Sequence, residues 1–315
     1  MFVYVLRRLS LAVPTVWLVA TILFLLVRMI PGDTVDVMFD EQSSYAGSMD
    51  ELREKLGLND PLMVQYGDYI LDLARGDLGR SLFNNVPVRD EIASRAPVTL
   101  QLALMTLVVA SAIALPVGVI AATKQDTPLD YGLRSISFLL LAVPNFFLGT
   151  MVILYGSVLF GWIPPVTYVT VFQDPWSNFV QFLIPALIFG SSLAASQMRM
   201  TRTMLLETLR SDYVRTAMSK GLRYRDVVLK HALRNALLPV ITIIGLQVAG
   251  ALGGTVIAEQ IFNLPGLGRL TVNAVRLRDY PVLQGVNLLF AVTIVGVNLI
   301  VDLSYAYLNP QIRYR

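Results

Sequence analysis

The sequence predicts an all-α membrane protein with six transmembrane helices and a small helical loop after the first of them. Of its 315 residues, 55% are hydrophobic and only 15% are charged, and the mean hydropathy is +0.61. Soluble globular proteins carry about 25% charged residues, so this composition requires apolar segments that lie outside water. The chain has no cysteine, which excludes disulfides, thiolate nucleophiles and cysteine-ligated metal centres.

Six windows contain uncharged stretches of about the 20 residues that a membrane-spanning helix needs. They are residues 9–27, 96–123, 135–160, 179–198, 236–258 and 282–308. The third uncharged run continues to Gln173, but Pro164 and Pro165 place the end of its helix near Phe160. The first window is longer than the apolar region of a signal peptide, so we interpret it as an uncleaved helix.

Basic residues are concentrated on one side of this predicted topology. The N-terminus, the loops after the second and fourth spans and the C-terminal tail together hold 15 basic and 5 acidic residues. The loop at residues 31–95 holds 13 acidic and 6 basic residues. Basic residues favour the cytoplasmic side of membrane proteins, so we expect both termini in the cytoplasm.

The loop at residues 31–95 contains signals for two short helices. Ser48 and Glu51 form a capping-box pattern for a helix over residues 50–56, which Gly57 would end. Asp60-Pro61 predicts the start of a second helix that runs to residue 74, and residues 76–79 have the composition of a turn. A solvated helical cap and a surface that receives a partner or substrate both fit this loop.

The segment between the fourth and fifth spans is basic and predicts two helices separated by a glycine. Asp212 would cap the first helix, Gly221 would end it, and a second helix would begin near Tyr224. The second helix has one apolar face, formed by Leu229, Leu233, Ala236 and Leu237, and a basic face with Lys230 and Arg234. A helix that binds anionic lipid headgroups is one interpretation. It leaves the order Ala217, Gly221 and Pro239 unexplained.

This segment resembles the EAA loop of ABC importer permeases, whose pattern is Glu-Ala-Ala-x3-Gly followed by Leu-Pro. Gly221 and Leu238-Pro239 match the pattern, while Arg215-Thr216-Ala217 replaces Glu-Ala-Ala. The missing glutamate and the longer distance from glycine to proline are features of the dipeptide and oligopeptide branch. In that branch Asp-Tyr-[Ile/Val]-Arg-Thr-Ala-x3-Gly-Leu is typical, and residues 212–222 follow this form.

The resemblance extends over almost the whole chain. In chain order, strings similar to this branch include Arg7-Arg8-Leu9, Ile30-Pro31-Gly32-Asp33, Leu56-Gly57-Leu58, Gly76-Asp77-Leu78-Gly79-Arg80-Ser81, Pro265-Gly266-Leu267-Gly268, Arg278-Asp279-Tyr280-Pro281 and Tyr307-Leu308-Asn309-Pro310. Thr34 departs from the pattern because proline is usual there. Each string is weak by itself, and their order along the chain makes the resemblance specific.

The resemblance implies the type I ABC importer permease fold and a place as the first permease subunit of a dipeptide or oligopeptide transporter. Such a chain pairs with a paralogous permease in the bacterial inner membrane and forms half of the translocation channel. Two cytoplasmic ABC ATPases and a periplasmic or lipid-anchored substrate-binding protein complete the transporter, and membrane lipid surrounds it. This chain would bind no cofactor and no nucleic acid, since ATP and Mg²⁺ would bind to the ATPases.

The resemblance also implies that the helix before Gly221 is a coupling helix, seated in a groove of an ATPase. The expected contact residues are Arg215, Thr216, Ala217, Met218, Lys220, Gly221 and Leu222. A rigid element of this kind can pass ATP-driven closure to the membrane spans. We divide the chain into the N-terminus with the first span (1–30), a periplasmic helical loop (31–95), a permease core (96–308, with the coupling segment at 205–236) and a cytoplasmic tail (309–315).

Small and helix-breaking residues mark two further positions in the spans. Gly250 and Gly254 form a Gly-x3-Gly pattern in the fifth span, which predicts close packing against the partner permease or against other spans of this chain. Pro144 predicts a kink in the third span, and Asn145 beside it is a candidate for the translocation pathway.

Two acidic residues lie near the ends of spans, where an unpaired charge would be costly. Glu259 is a candidate for the pathway, or it pairs with a nearby arginine: Arg269, Arg276 or Arg278. Asp302 has Arg202 and Arg234 as candidate partners.

The residue inventory argues against enzymes and leaves two alternatives open. His231 is the only histidine, and the sequence has no Gly-x4-Gly-Lys-[Ser/Thr], so a histidine-based metal site, a Ser-His-Asp triad and a P-loop are poor interpretations. A secondary transporter without an ATPase is one alternative, although no window has a charge near its centre. Within the ABC branch, nickel and glutathione permeases are alternatives to a peptide permease.

Overall fold

The computed structural model describes residues 2–29, 35, 49–55 and 57–308. Within these ranges the regular structure is helical, apart from one isolated β-bridge between Arg80 and Pro87. In chain order the helices are α1 (Phe2–Met29), α2 (Met49–Lys55), α3 (Leu62–Ala74), α4 (Val88–Thr123), α5 (Pro128–Ala142), α6 (Asn145–Phe160), α7 (Pro175–Leu209), α8 (Asp212–Ser219), a turn at Tyr224–Asp226, a π-helix (Val227–Ala232), α9 (Leu233–Ile261), α10 (Leu267–Leu277) and α11 (Tyr280–Leu308). The predicted all-α membrane class is confirmed.

The described helices supply five membrane spans and a broken sixth. Five are long and apolar enough to cross a membrane, within α1, α4, α7, α11 and the stretch Tyr224–Ile261. The helices α5 and α6 satisfy the same criteria only as a pair, bent by 95°. The sequence predicted a kinked single helix here, and the structure corrects this to a break. Val143 and Pro144 are both extended (ψ 124° and 133°), because proline lacks an N–H and disfavours the helical conformation of the residue before it.

The helices are longer than the apolar windows that predicted them. The helix α4 begins at Val88 rather than near residue 96, and α7 runs from Pro175 to Leu209 around a window predicted at 179–198. Hydropathy marks only the apolar part of a helix, whereas caps mark its ends. Asp174 shows this at the start of α7, where its Oδ1 accepts hydrogen bonds from the N–H groups of Trp176 (3.0 Å) and Ser177 (3.1 Å).

One compact unit comprises described residues of 1–98 and 265–296. Its apolar core joins α4, α10 and α11 and is formed by Val88, Ile92, Leu267, Leu270, Ala274, Val282, Leu283 and Val286. The two helices predicted after the first span are present as α2 and α3. Ser48, the predicted cap of α2, lies outside the described residues. Gly57, Gly76 and Gly79 have positive φ angles, which confirms the predicted turns.

The second compact unit comprises residues 99–264 with described residues after 296. In it α7 packs against α5, α6 and α9. Gln197 on α7 donates a hydrogen bond of 2.7 Å to Gln247 on α9. A second close approach joins α4 and α7 at Gly118, where a Cβ atom would lie 2.9 Å from the carbonyl oxygen of Met198. This packing fixes the end of α7 from which the basic segment continues.

Candidate functional site: the segment between α7 and α9

The helix α8 begins after a two-residue step, Arg210 and Ser211, at the end of α7. Ser211 precedes the helix, and its hydroxyl donates to the Thr208 carbonyl instead of capping α8. Asp212, the predicted cap, is therefore the first residue within the helix and its carboxylate is exposed. Gly221 follows with φ +80°, a left-handed conformation in which glycine carries little cost. The predicted end of the helix at this glycine is confirmed.

Apolar contacts hold one face of α8 against the ends of the membrane helices. Val214 is completely buried in a cluster with Leu205, Val227, Val228, Ala232 and Ala236, and Ala217 packs against the edge of this cluster. The Tyr213 hydroxyl accepts a hydrogen bond of 2.8 Å from the amide nitrogen of Asn235 on α9. The helix is thus fixed both to the end of α7 and to the start of α9.

The opposite face of this segment is open. Six of the seven predicted contact residues are exposed, namely Arg215, Thr216, Met218, Lys220, Gly221 and Leu222, while Ala217 is half-buried. Two apolar side chains lie on this face, since Met218 is 40% and Leu222 is 44% exposed. A basic surface with apolar side chains, supported from behind by a buried core, has the composition of a protein-docking surface.

A π-helix, which the sequence did not predict, connects this segment to α9. Val227–Ala232 replaces the first turns of the predicted α-helix. Val227, Val228 and Ala232 are buried, while Lys230 and His231 are exposed. Single π-helical turns are rare and occur frequently at functional sites. Neither composition nor periodicity in this stretch distinguishes it from an α-helix.

A buried ion pair, which the sequence did not predict, joins the start of α5 to the C-terminal part of α7. The Arg202 guanidinium donates to both carboxylate oxygens of Asp130, at 2.8 and 2.6 Å, and Asp130 is completely buried. The sequence named Arg202 as a candidate partner of Asp302; the partner of Arg202 in the described residues is Asp130, and the pairing of Asp302 stays a prediction. The side chain of Asp302 lies outside the described residues. The pair brings together residues 72 positions apart, so sequence spacing gave no sign of it.

Asn145 lies beside a cavity of about 140 Å³ at the start of α6. Its amide nitrogen donates to the Ser192 hydroxyl at 3.0 Å, and among the described residues its buried Oδ1 has no hydrogen-bond partner. The cavity is lined by residues of α4, α6, α7 and α9, which include Thr106, Ser192, Gly250, Gly254 and Thr255. Asn145 therefore stays a candidate for the pathway, and a cavity with both polar and apolar lining residues lies beside it.

Gly250 and Gly254 face this cavity rather than a tightly packed helix. For a Cβ atom on Gly250, no described atom lies within 4 Å, and for Gly254 the nearest is Cδ1 of Phe189 at 3.9 Å. The close approach on α9 lies instead at Gly245, where a Cβ atom would overlap Cγ2 of Val301. Packing of Gly250 and Gly254 against a partner permease stays a prediction.

Glu259 is completely buried near the end of α9. Its carboxylate accepts a hydrogen bond of 2.6 Å from the Thr99 hydroxyl on α4. This contact ties α9 to α4, a role that the sequence did not indicate because the two residues are 160 positions apart. The pathway role of Glu259 and its pairing with an arginine stay predictions.

A buried polar cluster in the other unit was also missed by the sequence. Asp279 accepts hydrogen bonds from the Ser81 hydroxyl (2.5 Å) and from the N–H of Leu82 (3.3 Å). Burial raises the pKa of Asp279, and these two hydrogen bonds oppose the rise. Nearby, Glu91 accepts from Asn84 and pairs with Arg95 at 2.7 Å. The cluster anchors the loop before α4 to the start of α11.

Helical spans, a broken span beside a cavity and a surface helix held between two spans are typical of a multi-pass transport protein. The chain matches the family described as the inner membrane component of binding-protein-dependent transport systems over residues 114–314, and the N-terminal part of such membrane components over residues 1–103. It belongs to this family.

Relatives and a solved structure agree with this assignment. The chain is 41% identical over 312 residues to the glutathione transport system permease protein GsiC of Escherichia coli O6:H1 (strain CFT073), with 99% of each chain covered. It is 40% identical to the GsiC protein of Escherichia coli strain K12 over the same length. Its fold is similar to a chain of the MetNI methionine ABC transporter in an inward-facing conformation, with a TM-score of 0.54, 15% identity, and coverage of 69% of this chain and 96% of that chain.

The chain is therefore the permease subunit of an ABC importer, and the predicted resemblance and type I fold are confirmed. It is a multi-pass inner membrane protein and not an enzyme, because ATP hydrolysis belongs to separate subunits of such importers. Members of this family work with ATPases and with substrate-binding proteins.

Proposed function

We propose that this permease imports short peptides, with glutathione among its substrates, across the bacterial inner membrane. Two observations support this substrate class. Strings similar to the dipeptide and oligopeptide branch run through the chain, and the two relatives named above, matched over 99% of its length, are glutathione transport permeases. Glutathione is itself a tripeptide, so one substrate class accommodates both. A nickel permease of the same branch is the alternative.

The complex that we propose contains a paralogous second permease, two cytoplasmic ABC ATPases that bind ATP and Mg²⁺, and an external substrate-binding protein. This chain would form half of the channel. The excess of basic residues beside α8 and at both termini supports a cytoplasmic position for these segments. The opposite charge balance of residues 31–95 supports a periplasmic position for α2 and α3.

The proposal that an ATPase docks onto α8 rests on the exposed face of this helix. Val214 fixes the helix from behind, and six of the seven residues that the family pattern places against the ATPase are exposed, while Ala217 packs against the edge of the core. A segment that only adhered to lipid would bury its apolar residues in the bilayer and keep its basic residues at the headgroups. Here the apolar Val214 faces the chain's own core, while Met218 and Leu222 share the open face with arginine and lysine.

Leu222→Arg tests this docking surface, with Leu71→Arg on α3 as the matched control. Both leucines are exposed, 44% and 55%, so neither change buries a charge. Only Leu222 lies on the proposed ATPase surface. We expect the ATPases to co-purify with the wild type and the control, and to be lost from Leu222→Arg while the second permease is retained. Unchanged ATPase recovery with Leu222→Arg would contradict the docking surface.

The substrate class is tested by uptake into vesicles that contain the whole importer and its binding protein. We expect ATP-dependent uptake of labelled glutathione and of short peptides, and no uptake of nickel ions. Uptake of nickel alone would favour the alternative within the branch. Uptake that continues without ATP would contradict the proposed dependence of transport on the ATPases.

A further inference from the structure

The chain holds a second mechanical connection besides α8, at the buried pair Asp130–Arg202. Arg202 lies one turn before Leu205, and Leu205 is buried in the same apolar cluster as Val214 of α8. Asp130 lies in the first turn of α5, where Thr127 caps the helix. The pair thus joins the part of α7 that supports α8 directly to the start of α5.

The geometry of this pair is unusually constrained. Both carboxylate oxygens of Asp130 are engaged by Arg202, and Oδ2 also accepts from the N–H of Asp126 at 3.1 Å. A two-point contact between a planar guanidinium and a carboxylate fixes orientation as well as distance. By contrast, most of the other ion pairs in the described residues are exposed and bridge a single helix turn, such as Arg75–Asp72.

Further contacts along the same two helices keep α5 in register with α7. The Ser137 hydroxyl donates to the Met198 sulfur at 3.2 Å in the buried interface, and the Arg199 guanidinium lies 5.5 Å from the centre of the Phe138 ring. At its far end α5 stops at the break with α6. There Asn145 and the 140 Å³ cavity lie beside α7.

We propose that Asp130 and Arg202 are positioning residues that transmit movement of α8, through α7, to α5 and to the break at Val143–Pro144. This inference rests on the proposed function, because it takes α8 as the element that the ATPases move. When α7 is displaced, a bidentate buried pair carries the start of α5 with it. Without the pair, the two helices can slide along their apolar contact, and the ATP-driven movement reaches the cavity only in part.

The test removes the pair without leaving a buried charge. A single substitution of Arg202 would strand the Asp130 carboxylate and endanger folding, whereas replacing both partners of a buried pair by neutral side chains is often tolerated. Asp130→Asn/Arg202→Met does this and keeps an acceptor for the Asp126 N–H. Asp72→Asn/Arg75→Met makes the same two changes at an exposed pair on α3 and is the control.

The decisive readout is the number of substrate molecules transported per ATP hydrolysed by the assembled importer. We expect the double variant to assemble with its ATPases and to hydrolyse ATP, with the transport ratio reduced about tenfold, a size usual for coupling between distant sites. Arg202→Lys keeps the charge but not the two-point contact, so its ratio should be intermediate. The control should transport at the wild-type ratio.

A pair with a merely structural role would lower the amount of folded protein and leave this ratio unchanged. A wild-type ratio in the assembled double variant would therefore overturn the inference while the proposed function stands. If the wild-type chain recruits no ATPases at all, the proposed function itself fails.

A distance measurement gives an independent check, because the chain has no cysteine. Spin labels at Ser219→Cys on α8 and Val158→Cys on α6 occupy exposed positions. In the whole importer we expect the label distance to change on vanadate trapping in the presence of ATP, and the double variant to lose most of this change. An equal change in both would contradict the transmission role.

Discussion

The contact of α4 with α7 at Gly118 yields the sharpest quantitative prediction. A Cβ atom at this position would lie 2.7 Å from Cβ of Thr201 and 2.9 Å from the backbone oxygen of Met198. Neither atom can rotate away, so Gly118→Ala should incur the full overpacking cost of about 1–3 kcal/mol. Alanine also gains about 1 kcal/mol over glycine inside a helix, which leaves a net loss of about 0–2 kcal/mol.

Gly250→Ala on α9 is the matched variant, because no described atom lies within 4 Å of its would-be Cβ. This variant should gain the higher helix propensity of alanine relative to glycine without the overpacking cost. The free energies of unfolding of the two variants should therefore differ by about 2–3 kcal/mol, near the upper end of the overpacking range, since a backbone atom is involved. At about 2–4 °C per kcal/mol, this corresponds to a Tm difference of about 4–12 °C.

The assay is thermal unfolding of the purified chain in one detergent. Equal Tm values, or a higher Tm for Gly118→Ala, would refute the packing argument. The same two variants in the assembled importer test the predicted contact of Gly250 with the partner permease. If that contact forms, Gly250→Ala should raise the Tm of the isolated chain but not the Tm of the assembled importer.

Two further predictions concern titration and backbone geometry. Burial raises the pKa of Asp279, so the folded state binds its proton more tightly than the unfolded chain; this stabilisation is complete below the unfolded pKa and is lost as pH rises through the folded pKa. The Tm of the wild type should therefore fall more steeply from acid to neutral pH than that of Asp279→Asn, and parallel profiles would contradict the shift. Gly221 has φ +80°, so Gly221→Val should destabilise the end of α8 by about 1–2 kcal/mol and Gly221→Asn by less, measured as faster hydrogen exchange of the α8 amides. Equal hydrogen-exchange rates in the two variants would contradict the left-handed conformation of Gly221 at the end of α8.

Local signals in the sequence were enough to predict the membrane spans and the glycines at which short helices end. Uncharged windows located the membrane helices because crossing lipid requires a continuous apolar stretch. Gly221 located the end of α8, since its left-handed conformation is a property of one residue. The fold was predictable to this extent because composition and single-residue backbone preferences act locally.

Contacts between distant residues were not predictable in the same way. Asp130 pairs with Arg202 and Ser81 with Asp279 across 72 and 198 positions, and nothing in either neighbourhood selects the partner. Pro144 predicted a disturbance, but the 95° bend depends on how α5 and α6 pack against α7. The π-helix before α9 likewise has no local signature. Its wider turn accompanies the burial of Val227, Val228 and Ala232 together in the cluster behind α8.

The central claim is that the exposed face of α8 contacts an ATPase, and site-specific cross-linking tests it most directly. Because the chain has no cysteine, Leu222→Cys can carry a single photoreactive label in the assembled importer, with Leu71→Cys as the control position. We expect an adduct with an ATPase subunit from Leu222→Cys and none from Leu71→Cys. Adducts from Leu222→Cys with lipid alone would contradict it.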